Sequence, residues 1–143
     1  MTNVDALRDG LDCCLAQHFE VVARVSHDRW SLRNGSARVF VTLQEVKGRP
    51  LVQVRSPLVR GAAATSELFE HVATESDDYV FGHLSCTRHG ESADVFLSHV
   101  LQADDLQPIE LVSCVRGMLA TANEIDGDLA RRFGGTPFHS DQE

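Results

Sequence analysis

Lysine is all but missing from this sequence. It occurs once, at Lys47, among 13 cationic residues, against 21 acidic ones, for a formal net charge of −8. A protein that displaces counterions from phosphates needs a basic stripe. The densest basic pair here is Arg131-Arg132, at the end of a predicted helix, where cations complement the dipole. This argues against nucleic acid as a partner, and against anionic membranes for the same reason. Long apolar runs are also absent: none approaches the ~20 residues of a membrane-spanning helix. The first ten residues are polar and charged, which predicts no signal peptide. The four cysteines, Cys13, Cys14, Cys86 and Cys114, include no C-x-x-C pair. Reduced thiols in a cytoplasmic protein are the expectation. Glycines occur in neither of the phosphate-loop spacings, G-x-x-x-x-G-K or G-x-G-x-x-G.

What is present suits one globular domain. A chain of 143 residues with 43% hydrophobic residues buries enough surface to fold without a metal or disulfide staple. The domain is expected over 1–135, with a flexible tail over 136–143. The first helix is predicted over 3–17, where Val4, Leu7, Leu11, Cys14 and Leu15 recur at helical spacing and Thr2 with Asp5 resembles a capping box. Residues 19–25 fit neither pattern clearly. Three strands follow, over 28–33, 37–46 and 51–58. They are separated by Asn34-Gly35, a strong hairpin signal because a type I′ turn needs two positive φ values, and by Lys47-Gly48. Pro57 is expected to end ladder pairing near the third strand. A short helix over 66–74 leads to strands over 79–87 and 93–101, joined near Gly90-Glu91. The last helix begins at Pro108, a favoured first position, and stops near Phe133 before Gly134-Gly135. Gly117 inside it permits close packing, and Gly127 marks a bend or break. The fold class is therefore α+β: α-βββ-α-ββ-α, a five-stranded antiparallel sheet packed by the N- and C-terminal helices.

The turns set a register. They place Trp30 opposite Val39, Leu32 opposite Ala37, Leu43 opposite Val52 and Val41 opposite Val54. In the second block they place Cys86 opposite Val95, Leu84 opposite Leu97 and Val80 opposite Leu101. One face of each hairpin then comes out nearly all apolar, and a one-residue slip would destroy that agreement. The other face carries Arg29, Arg38, Gln53 and Arg55, but also Phe40, Tyr79, Phe81, Phe96 and Val100, with Phe81 and Phe96 as neighbours. An exposed aromatic patch of this kind marks a contact surface, so these five residues are the candidate site. Cover by the short middle helix is the competing reading.

The element order, the strand Asp28-Arg29-Trp30-Ser31-Leu32 before Asn34-Gly35, then Val39-Phe40-Val41, and Leu51-Val52-Gln53-Val54-Arg55-Ser56-Pro57 together resemble the YbjN-like proteins and the type III secretion chaperone fold. The resemblance covers about residues 3–134 and rests on residue type and order, with no catalytic signature. It implies a non-enzymatic protein that binds a client protein, forms a homodimer, or both, and uses no cofactor.

Chemical sites weigh less. His83, Cys86 and His89 have the spacing H-x2-C-x2-H, but on a strand Cys86 points away from the two histidines, and zinc needs three or four converging ligands. Cys86 with His99 is the sharpest thiol-enzyme pair, yet Cys86, Cys14 and Cys114 all fit apolar core positions better. The carboxylates Glu75, Asp77 and Asp78, the pair Asp104-Asp105, and Glu124, Asp126 and Asp128 read as solvated or capping groups. No catalytic, cofactor-binding or metal-binding residue is assigned. The rival function is a sensory or regulatory domain that holds a small ligand between sheet and helices, where Cys86 and His99 face inward.

Overall fold

The computed structural model describes residues 3–138. Helix α1 spans Val4–His18. Its N-cap is Asn3, whose side chain accepts from the amides of Asp5 and Ala6, which satisfies two of the orphan donors of the first turn. The expected partner at Thr2 lies outside the described residues. Strands β1 (Val22–Ser26), β2 (Arg29–Asn34), β3 (Ala37–Val46) and β4 (Arg49–Ala63) follow as a meander. Helix α2 (Ser66–Glu75) runs into a short 3-10 turn at Ser76–Asp78. Strands β5 (His83–His89) and β6 (Ser92–Gln102), helix α3 (Pro108–Phe133) and the short strand β7 (Thr136–Pro137) complete the order.

The sheet is antiparallel, with order β1-β2-β3-β4-β6-β5, and β7 pairs with β4. It has seven strands where five were expected. One missed strand is β1, in the ambiguous stretch after α1, where five residues with mostly exposed side chains show no alternation. The other is β7, a dipeptide at the start of the expected tail; residues 139–143 lie outside the described residues. Strand β4 is 15 residues long and continues past Pro57. Pairing to β3 stops at Arg55, while pairing to β6 runs on to Ala63 through register shifts on either side of Val59. Pro57, which has no amide to donate, therefore sits beyond the β3 ladder. The edge it leaves is taken up at Val59 and Arg60 by β7.

The register follows the turns in two hairpins of three. Leu43 faces Val52 and Val41 faces Val54; Leu84 faces Leu97 and Cys86 faces Val95. In the first hairpin Asn34 pairs with Ala37, so Trp30 meets Val41 and Leu32 meets Val39, two residues from the expected partners. The turn residues are Gly35 and Ser36, and only Gly35 has positive φ. The physical cause is a side chain from α3. Asn123 Oδ1 accepts from the Ser36 and Ala37 amides, each at 3.1 Å, and Nδ2 donates to the Asn34 carbonyl at 2.7 Å. A shift of two preserves parity, so the same residues face the core.

That core lies between one sheet face and the helices. Trp30, Leu32, Val39, Val41, Val54, Leu58, Val95 and Leu97 are buried against Leu11 and Leu15 of α1 and Leu111, Val115, Met118 and Leu129 of α3. The Trp30 indole donates to Asp12 Oδ1 of α1 at 2.8 Å, so the buried ring keeps a partner for its one polar atom. Helix α2 lies on the same side. Its His71 ring meets Phe133 of α3 at 5.2 Å, and Arg88, in register with buried Ala93, stacks on Phe69. Helix α3 is continuous through Gly127. No helix of the described residues is long and apolar enough to cross a membrane.

Candidate functional site

With all three helices of the described residues on one face, none of them lies over the other face of the sheet. Residues of the opposite parity lie there: Arg29 on β2, Arg38, Phe40 and Thr42 on β3, Gln53 and Arg55 on β4, and Phe96 and Val100 on β6. Val100 is 52% exposed, and Phe40 and Phe96 are half-buried. These three candidate residues are where the alternation placed them.

Tyr79 and Phe81 are not. Strand β5 begins only at His83, so Val80 has no partner in the sheet and is 88% exposed, and the residues opposite Phe96 are Ser85 and Pro57. The cause is Gly82, at φ +91, where a Cβ would lie within 2.7 Å of Met118 Sδ and 2.9 Å of Leu97. Only a glycine passes so close to the core in that conformation, and the chain before it turns over to the helix side. Phe81 packs on Gly117 of α3, where a Cβ would come within 2.7 Å of the ring. Phe81 also meets the His99 ring edge-on at 5.7 Å. Tyr79, half-buried beside α3, has its phenol pushed up by burial and then by Glu75, Asp78 and Glu124.

The open face is organised by arginine. The Arg29 guanidinium lies 4.2 Å from the Phe40 ring centre, and Arg38 lies 5.3 Å from it. Arg55 stands opposite Phe40 in the ladder, and its guanidinium sits 3.9 Å over Phe96. Arg38 is 5% exposed, and its Nε donates to Ser31 Oγ at 2.7 Å. Together Arg29, Arg38, Phe40, Arg55, Pro57, Phe96 and Phe138 line a concavity of about 620 Å³, with no acidic residue among the described residues of its wall. A flat guanidinium on an aromatic face keeps its N–H edge available for a ligand while the ring fixes its position.

The other constellations do not assemble. His99 Nδ1 accepts from the Gly82 amide at 3.0 Å, and burial, with His83 second, holds its pKa below the ordinary histidine value. Its ring is thus committed to the Gly82 amide and the Phe81 ring. Burial pushes the Cys114 thiol up to about 12 and raises Cys14, where the neighbouring Cys13 adds to the effect; neither suits a thiolate nucleophile. Among the described residues no group of three His, Cys, Asp or Glu side chains is placed to hold a metal. Asp126, expected to be solvated, is buried at 7% exposed and accepts from Ser36 Oγ at 2.8 Å. It anchors the first hairpin alongside Asn123, a long-range role that no local pattern announces.

A family model described as T3SS (YopN, CesT) and YbjN peptide-binding chaperone 1 matches residues 5–141. No curated protein matches the chain at a significant level.

Proposed function

The chain belongs to this family of peptide-binding chaperones, and on that premise we propose that it holds an extended segment of a client protein on the open face of its sheet, in the cytoplasm and without catalysis. One observation carries the reading. All three helices of the described residues cover one sheet face, and the other carries Phe40 and Phe96 in the wall of a concavity of about 620 Å³, with Val100 exposed on the same face. Aromatic rings at a partly open surface give large contact area at low entropic cost and are enriched where binding energy concentrates. Rigid strands hold them in place, and the arginines form a polar surround. Four free cysteines suit a reducing compartment.

Peptides selected from a displayed random library against the intact chain supply the probe. Calorimetry is expected to show binding to the wild type. A Phe40→Ser/Phe96→Ser variant, folded by circular dichroism, should lose about tenfold or more in affinity. Equal affinity for the variant would move the site to the helix side. A second copy of the chain is the other occupant of this face; sedimentation that shows a wild-type dimer and a monomeric double variant would mean self-association in place of client binding.

A further inference from the structure

We infer that the concavity on the open sheet face recognises carboxylates, so that its occupant is an extended peptide bearing Asp or Glu side chains beside apolar ones. The inference rests on the client-binding reading and gives it a chemistry. The chain carries a net charge of −8, yet among the described residues the wall of this concavity holds Arg24, Arg29, Arg38 and Arg55 and no carboxylate. Charges beyond a Debye length of roughly 8–10 Å are screened at physiological salt, so a peptide in the concavity meets the local arginines more than the distant acidic surface.

Two of the arginines, Arg29 and Arg55, are posed for a ligand. Arg29 and Arg55 lie against Phe40 and Phe96 at 4.2 and 3.9 Å, and neither forms an ion pair with an acidic side chain among the described residues. Arg55 Nε is buried and has no hydrogen-bond partner among the described residues. A buried donor left unsatisfied is costly, and a guanidinium fork satisfies two donors at once on a carboxylate. Arg38 is oriented from beneath by Ser31. Arg24, which belongs to the same wall, is a contrast: its guanidinium donates to the His27 carbonyl at 2.7 Å and stacks on Trp30, so it is committed elsewhere. The aromatic floor between the cations sets the second requirement, an apolar side chain next to the acidic one. A polyphosphate backbone is a poorer match, because it needs cations along a track and here they ring one hollow.

The test uses the full chain and three unlabelled peptides of one length. They share the same Val and Phe positions and alternate these with Glu, Gln or Lys. Calorimetry is expected to give the Glu peptide about tenfold or more tighter binding than the Gln peptide, and no binding of the Lys peptide. Raising salt from about 50 to 500 mM should shrink that advantage. Arg29→Gln and Arg55→Gln should each remove most of it, lowering the Glu peptide's affinity far more than the Gln peptide's, and Arg55→Lys should restore only part, since lysine lacks the fork. Equal binding of all three peptides would overturn the inference and leave the client-binding reading standing. Binding of none would overturn the inference, and the peptide-display experiment alone would then decide that reading. If sedimentation shows that the arginine variants dissociate a dimer, the cations serve a second copy and the inference also falls.

Discussion

The ring of Phe81 and the α-carbon of Gly117 occupy adjoining space so closely that a methyl group on Gly117 would meet Cδ2 of the ring at 2.7 Å. This contact holds Phe81 on the helix side, where the turn at Gly82 delivers it, and out of the sheet's open face.

Gly117→Ala should therefore destabilise the fold. Alanine favours a helix interior by about 0.5–1 kcal/mol over glycine, but overpacking at a rigid contact costs about 1–3 kcal/mol, and the second effect wins. Urea denaturation should show the loss, and a Phe81→Leu background should recover much of it. A more stable Gly117→Ala variant would mean that Phe81 does not rest on α3. By the same contact, Phe81→Ser should lower stability and leave peptide affinity largely unchanged.

Leu97→Ala tests the sheet register. Leu97 is fully buried opposite Leu84 and Ser56, so truncation should cost about 2–5 kcal/mol. Val100→Ala, three residues along and half exposed, should stay within about 0.5 kcal/mol. Similar effects for the two would reverse the assignment of faces.

Stability should fall on acidification through His99. Its pKa in the fold lies below the unfolded value because burial disfavours the charged ring and His83 adds to this. Between the two values the unfolded chain binds more protons, so stability is present above the unfolded pKa and declines as pH falls toward the folded one. Melting from about pH 7.5 down to 5 should show a drop that is smaller in His99→Asn, whose Oδ1 still accepts from Gly82. An unchanged slope would assign the drop to the other histidines.

Thiol reactivity should be graded. Cys13 is exposed, Cys86 intermediate, and Cys14 and Cys114 buried. Modification of the native protein near pH 8 should label Cys13 first and Cys114 last, because the buried thiol hardly ionises there. Denaturation without reductant should release four thiols; two would mean a disulfide.

Local signals made much of this molecule legible before the fold was known. The Pro108 start and the Gly134-Gly135 stop bound α3 at Pro108–Phe133. Lys47 and Gly48 both take positive φ, and the register they set holds along β3 and β4. Parity put Phe40, Phe96 and Val100 on one face because alternation is a property of each strand alone. What stayed hidden depends on distant partners. Asn123 draws the first turn one residue along, Gly82 delays the start of β5 to His83 because of Met118 and Leu97, and β1 exists only because β2 offers it an edge. Among the site residues, parity gives the arginines only as members of the same face. Their stacking on Phe40 and Phe96 needed coordinates, since sequence gives no ring-to-guanidinium distance.

The closure of β4 by β7 also sets an order of events in synthesis. The edge at Val59 and Arg60 is capped by Thr136 and Pro137, which leave the ribosome after every other described element. Until then the longest strand shows unpaired amides and carbonyls to whatever else is nascent nearby, the condition under which sheets join edge to edge. The turn that brings β7 in passes through Gly135, at φ +83, where any Cβ would fall 2.5 Å from the Arg60 carbonyl oxygen. A substitution at Gly135 would thus be felt as aggregation of newly made chains more than as a softening of the finished fold.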